Sequence, residues 1–198
     1  MSLMAVVEGD TDIPVVRALA RSVGLELAGD PLDMSGKDKL DQRLEGFNNA
    51  ARGSPWLVLR DLDNDALCAP TYVKSKGFVP STWMVFSLAV REVEAWLLAD
   101  AKGLSTFLQV PLSRIPTNPD AERDPTVTLV NLARGSRRSG IKKGMVPKPN
   151  AAAQVGPLYE ALIIEFATTT WSLDRACLRS PSLARTREAL RRVAQNWA

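Results

Sequence analysis

The stretch Trp56-Leu57-Val58-Leu59-Arg60-Asp61-Leu62-Asp63-Asn64-Asp65 decides how the chain is read. Four apolar residues in an unbroken run have strand length, and a run without alternation suits a strand covered on both faces. The run ends in three aspartates at every second position. Upstream, Met4-Ala5-Val6-Val7-Glu8 repeats the pattern as a short buried strand closing on a carboxylate. Gly9 turns the chain, Thr11 or Asp12 can cap a helix, and Pro14 fits its first turn, where a missing N–H costs nothing. Val15, Val16, Leu19 and Val23 give that helix its apolar face, with Gly24 as its stop. Lys37 to about Ala51 predicts a second helix through Leu40, Leu44, Phe47 and Ala51, which Gly53-Ser54-Pro55 breaks. Trp83-Met84-Val85-Phe86 reads as a third strand. Ser87 then opens a helix through Val90, Val93, Leu97 and Leu98 to about Ala101. Strands alternating with helices imply an α/β fold with a parallel sheet and right-handed crossovers.

Beyond residue 102 the strand-like runs disappear. Pro111 to Pro125 is loop-rich, and a helix is expected near 126–133. Arg134 to Gly144 reads as a basic loop punctuated by glycine, followed by helices near 155–169, 172–178 and 182–197. The expected organisation is an α/β core over residues 4–101 and a helical C-terminal region over 102–198, with a basic segment at 134–148.

Composition limits the chemistry. The 198 residues include no histidine. That excludes Ser-His-Asp and Cys-His nucleophile activation, His-ligated zinc and histidine general bases. Catalysis by this chain alone falls to carboxylates, lysine, arginine, hydroxyls or a carboxylate-held metal, and oxygen ligands favour magnesium, manganese or calcium. Cys68 and Cys177 are far apart and suit a reducing compartment, so the cytoplasm is the expected location. No apolar stretch approaches the roughly 18 residues of a membrane span. Residues 1–100 carry a balance of −5 and residues 101–198 a balance of +8. A metal site beside a polyanion-binding surface has that asymmetry, and so does a protein whose halves pair their charges.

In a parallel sheet the strand C-termini open onto one edge, where ligands bind. Glu8 and Asp61, Asp63 and Asp65 are expected there. In extended chain, i, i+2 and i+4 side chains share a face, so the three aspartates could address one cation. An Asp/Asn-rich turn after a strand has the same composition. On the helix expected from Ser87, Glu94 falls inside the apolar arc. A carboxylate there must be paired or metal-bound, and Arg91 stands one turn earlier, as a structural partner or a catalytic companion. Arg134, Arg137, Arg138, Lys142, Lys143 and Lys148 form the densest basic cluster, able to follow a phosphate backbone or to remain a solvated surface. Without interleaved aromatics it does not support base stacking.

Val6-Val7-Glu8-Gly9-Asp10-Thr11-Asp12 resembles the first Toprim motif, and Leu57 to Asp63 resembles the second, a hydrophobic strand ending in Asp-x-Asp. The segment Ala89-Val90-Arg91-Glu92-Val93-Glu94-Ala95-Trp96-Leu97-Leu98-Ala99-Asp100 is more specific. It resembles the Arg-Glu-Ile-Glu-Ala-Trp-Leu-Leu-Ala-Asp signature of a Toprim-like family, domain of unknown function 4276, related to the Toprim domains of overcoming-lysogenisation-defect nucleases. The resemblance covers most of residues 4–100. It implies a Toprim-like parallel sheet flanked by helices and a magnesium- or manganese-dependent hydrolase cutting nucleic acid. By the same carry-over Glu8 is a general base or metal ligand, Asp61 and Asp63 are the metal pair, and Asp12 closes the first motif. Asp65 matches the three-aspartate version. Topoisomerase and primase activities lack their further parts here. Lysogenisation-defect nucleases carry an ATPase; no Gly-x-x-x-x-Gly-Lys-Ser/Thr loop occurs here, so a separately encoded ATPase is the expected partner. The alternative is a non-catalytic Toprim-like adaptor that binds DNA or such an ATPase.

Overall fold

Apolar runs become strands where the sheet covers both of their faces. In the computed structural model, which describes residues 2–77 and 79–197, these are β1 (Ser2–Val7), β4 (Trp56–Asp61) and β5 (Met84–Ala89). Two-residue pieces, β2 (Glu26–Leu27) and β3 (Leu32–Asp33), lie along one side of β1. The order is β2-β1-β4-β5, with β3 also on β1, and every pairing is parallel. Ala5 stands opposite Leu57, and Leu57 opposite Val85. The expected α/β class with a parallel sheet flanked by helices is the fold observed.

The crossovers are α1 (Ile13–Ser22), α2 (Lys37–Ala50) and α3 (Ala69–Ser75). Leu40, Leu44 and Phe47 of α2 bury against Val6, Val58 and Met84 of the sheet. Each such side chain withdrawn from water contributes about 1.5–3 kcal/mol before conformational entropy is charged. Tyr72 of α3 joins Leu62 and Leu88 in a smaller cluster. Leu57, Val58 and Leu59 are wholly buried, which explains why β4 shows no alternation.

The chain divides into two compact units, residues 1–90 with 182–198, and residues 91–181. This differs from the expected division at 101–102. The last helix, α10 (Pro181–Trp197), belongs with the sheet, where the Thr186 hydroxyl meets that of Ser87 at 2.5 Å. The same contact corrects the reading of Ser87 as a helix start. Its hydroxyl is spent on Thr186, and β5 stays paired with β4 through Ala89. The next helix, α4, begins only at Val93 and runs to Ala99.

The second unit is helical: α4, α5 (Ala101–Leu108), α6 (Pro125–Arg134), α7 (Ser139–Met145), α8 (Tyr159–Thr169) and α9 (Leu173–Cys177). All seven residues of α4 are buried, as in a helix surrounded by others. Part of the expected basic loop is therefore helix, α7, anchored by buried Ile141 and Met145. Both cysteines are free thiols. Among the described residues no helix is long and apolar enough to cross a membrane.

Candidate functional site

β1 and β4 are neighbours, so their carboxyl ends place Glu8 beside Asp61. The Asp61 amide donates to Glu8 Oε1 at 2.8 Å. The Glu8 carboxylate is thus held against the backbone of Asp61, 53 positions away in sequence, at the carboxyl ends of β1 and β4. Burial lifts Glu8 from 4.5 to about 7 against the Asp61 amide bond and the Arg60 charge, with nearby Asp12 and Asp63 adding to the rise.

Asp12 has a different task. Its Oδ2 accepts from the amides of Glu8 (3.1 Å) and Gly9 (3.2 Å), closing the turn that presents Glu8. The carboxylate is 4 % exposed, and burial raises it to about 6 despite those two bonds. It positions the site from beneath.

The three aspartates do not continue as extended chain. Asp61 ends β4, while Asp63 adopts a left-handed turn with φ of 48°. The expected i, i+2, i+4 alignment is broken there, because the strand stops at the sheet edge. What gathers Asp63 and Asp65 is a lysine. Lys37 Nζ donates to Asp63 Oδ2 at 2.7 Å and to Asp65 Oδ1 at 3.0 Å. The Asp63 bond, then the Asp65 bond, hold the Lys37 ammonium charged well above its ordinary range, against some loss from burial. The other oxygen of Asp65 is taken by Arg60 NH2 at 2.6 Å. Asp65 therefore spends both oxygens on cations and acts as an anchor.

Arg60 is the strut behind this arrangement. Its side chain is 2 % exposed inside β4, and a buried guanidinium must be compensated. Asp41 of α2 meets it bidentately, Nε at 2.9 Å and NH2 at 3.1 Å. The guanidinium lies 4.3 Å from the Tyr72 ring centre, and the Tyr72 hydroxyl and Lys76 Nζ also donate to Asp41 at 2.8 Å. Burial alone would raise Asp41; bonds from Arg60, Lys76 and Tyr72 outweigh it and hold the carboxyl low.

Lys37, Arg60, Asp41, Tyr72 and Lys76 were not identified as site residues by sequence reasoning. Arg60 had a signal, a charge within a strand covered on both faces. So did Lys37, a cation opening a helix against its dipole.

The acids of the second unit are arranged differently. Glu94 is buried in α4, and the Tyr159 hydroxyl faces its Oε1 at 3.5 Å. Burial and then the Glu94 charge push the Tyr159 phenol upward. Glu92 precedes α4 and accepts from the Thr126 amide (3.2 Å) and hydroxyl (2.9 Å). Arg91 is half-buried ahead of α4. Asp100 is fully buried. It accepts from Gly103 N (3.0 Å), Ser172 N (2.8 Å) and both arms of the Arg175 fork (2.7 Å each). Arg134, Arg137, Arg138, Lys142, Lys143 and Lys148 are all exposed on this unit. Arg138 is partly committed, donating to the Phe107 carbonyl at 3.2 Å.

The oxygen donors at the sheet edge have the chemistry of a hard-cation site, and the neighbouring negative charges that help raise Glu8 are what a divalent ion would relieve. The arrangement is closed to such an ion as it stands. Among the described residues no three acids are gathered so as to hold one, and Lys37 and Arg60 supply positive charge to Asp63 and Asp65. No protein-family model matches the chain, and neither does any curated protein or solved structure.

Proposed function

We propose that this chain is a Toprim-like protein that uses a divalent cation, magnesium or manganese, to cut phosphodiester bonds in nucleic acid. The observation that carries this reading is the 2.8 Å bond from the Asp61 amide to Glu8, which joins the two motif strands at their carboxyl ends. Asp61 and Asp63 would hold the ion, with Glu8 left as the general base, and Asp63 would have to leave Lys37 to do so. When bound, the ion would supply positive charge to the phosphoryl oxygens. The chain's own part is to fix Glu8 through the Asp12 turn and Asp65 through Arg60. With burial lifting it to about 7, Glu8 is poised to accept a proton near neutral pH. The six exposed cations of the helical unit would bind the phosphate backbone. An ATPase supplied by a separate chain is part of the same proposal.

The test is cleavage of single- and double-stranded DNA and RNA with magnesium, manganese or a chelator. Cutting that needs the metal and disappears in Asp61→Asn supports the reading. A second reading, a non-catalytic adaptor in an ATPase complex, is favoured by the cations already neutralising Asp63 and Asp65. It predicts nucleic-acid or ATPase binding with no metal-dependent cutting.

A further inference from the structure

We propose that the outer edge of β5 is a docking groove for an extended acidic peptide, which adds to the sheet as its next strand. β5 ends the strand order, and among the described residues no strand pairs with its outer side. A groove of about 970 Å³ runs along that side, and Val85, Phe86, Ser87 and Leu88 all line it. Successive side chains of a strand point to opposite faces, so a groove that meets four in a row lies along the strand's edge. Its two walls follow the same alternation. Leu88 packs with Tyr72 of α3 on one face, while the Ser87 hydroxyl meets Thr186 of α10 on the other. The space between these two helix layers is where a further strand fits. The backbone is turned to receive one. Trp56 N and Leu62 N donate to the carbonyls of Trp83 and Ala89 at 2.9 Å each, so odd-numbered residues address β4. By alternation the backbone of Leu88 faces the groove. On that side Met84 N is already taken by Ser81 O at 2.9 Å, so an added strand pairs toward the carboxyl end of β5.

Charge selects the occupant. Among the described residues the groove's lining includes Lys74 of α3 and Arg185 of α10 but no carboxylate. Both cations are exposed, and among the described residues neither forms an ion pair. Glu188, one turn beyond Arg185 on α10, is engaged by Arg191 at 2.8 Å and Arg192 at 3.4 Å. Pairing this edge with the same edge of a second copy sets like charges together, whereas an acidic segment neutralises them. Ala69, Val73 and Ala189 give the walls their apolar surface. A peptide alternating apolar residues with glutamate or aspartate meets both demands, its backbone supplying the pairing and its side chains the selectivity.

Fluorescence anisotropy tests this with a labelled peptide alternating glutamate and valine, titrated with wild type and with the double variant Lys74→Glu, Arg185→Glu in about 150 mM salt. Circular dichroism checks the fold of each protein, and Lys74→Gln with Arg185→Gln replaces the reversal if that variant unfolds. Control peptides carry lysine in place of glutamate, or N-methyl groups at alternate backbone nitrogens in each of the two registers. The acidic peptide should bind wild type saturably, and the double variant about tenfold more weakly. N-methylation in one register should also weaken binding about tenfold, and the lysine peptide should not bind. Undiminished binding of both N-methylated peptides means attraction without strand addition, and undiminished binding by the folded double variant places the peptide elsewhere; either overturns the proposal. A wild type that takes no acidic peptide overturns it as well. So does one that sediments as a dimer which the double variant loses, since the edge then serves a second copy.

Discussion

Glu8 and Asp100 each close an apolar segment with a carboxylate, yet the two regions use the group in opposite ways. Asp100 is fully buried, and backbone amides together with the Arg175 fork saturate it. Glu8 is half-buried at a sheet edge, where burial raises its carboxyl against one amide bond and the charge of Arg60. A buried acid with a full set of donors is part of the packing. One that burial and like charges raise, at the open end of a parallel sheet, retains interaction energy that a cation or a proton can use. The contrast separates the final Asp of the Arg-Glu-x-Glu-Ala-Trp segment, which builds the helical unit, from the acids that carry the functional proposal.

The largest effects should come from breaking the structural side of the comparison. Asp100→Ala leaves the amides of Gly103 and Ser172 without their acceptor and releases the half-exposed Arg175 guanidinium to solvent, and should cost about 2–4 kcal/mol in urea denaturation. Gly103→Ala acts on the same group from the other direction. A Cβ there would lie 2.2 Å from Asp100 Oδ2 and 3.1 Å from Arg175 NH2. It should lower stability by about 2–4 kcal/mol, read as a fall in the denaturation midpoint. Asp41→Asn weakens the support beneath Arg60 and should cost about 2–3 kcal/mol at neutral pH. Because Asp41 is held below its usual range, its contribution is present above pH 3.8 and is lost as pH falls through the lower folded value. A stability profile from pH 2 to 7 should therefore flatten in the variant at its acid end.

Glu8 sharpens the other side, with the opposite sign. Between pH 4.5 and about 7 the folded protein keeps a proton that the unfolded chain has lost, so this group makes stability fall as pH rises. Glu8→Gln should remove that slope and raise stability at pH 8 by about 1–2 kcal/mol, after discounting for the solvent the side chain still meets. A variant that is less stable at pH 8 would place Glu8 with Asp100 as a packing group. The smallest effect is expected from Arg137→Ala combined with Lys142→Ala. If the exposed cluster contacts phosphates, the pair should lower the salt dependence of DNA binding by about two counterions without changing stability.

Much of the sheet unit was legible in sequence because β1, β4 and β5 are unbroken apolar runs of strand length. β2 and β3 were not, since two residues carry no periodicity. Ser87 misled because a hydroxyl after an apolar run suits a helix cap as well as a strand; only the approach of Thr186, 99 residues away, decides between them. The return of α10 to the sheet unit is likewise a long-range fact. At the candidate site, Glu8 and Asp61 were legible from strand ends. Asp65 was legible as an acid but not as an anchor, because its cations come from α2 and from within β4.

The proposed function requires the sheet edge holding Glu8 and Asp61 to take a divalent ion for phosphodiester cleavage. Its most direct test is calorimetric titration of manganese and magnesium into wild type and Asp61→Asn, with nucleic-acid cleavage measured on the same samples. Saturable binding and metal-dependent cutting are expected in wild type, both lost in Asp61→Asn while its thermal midpoint stays within about 2 °C of wild type. Wild-type protein that binds neither ion, or an Asp61→Asn variant that binds and cuts as wild type does, would contradict it.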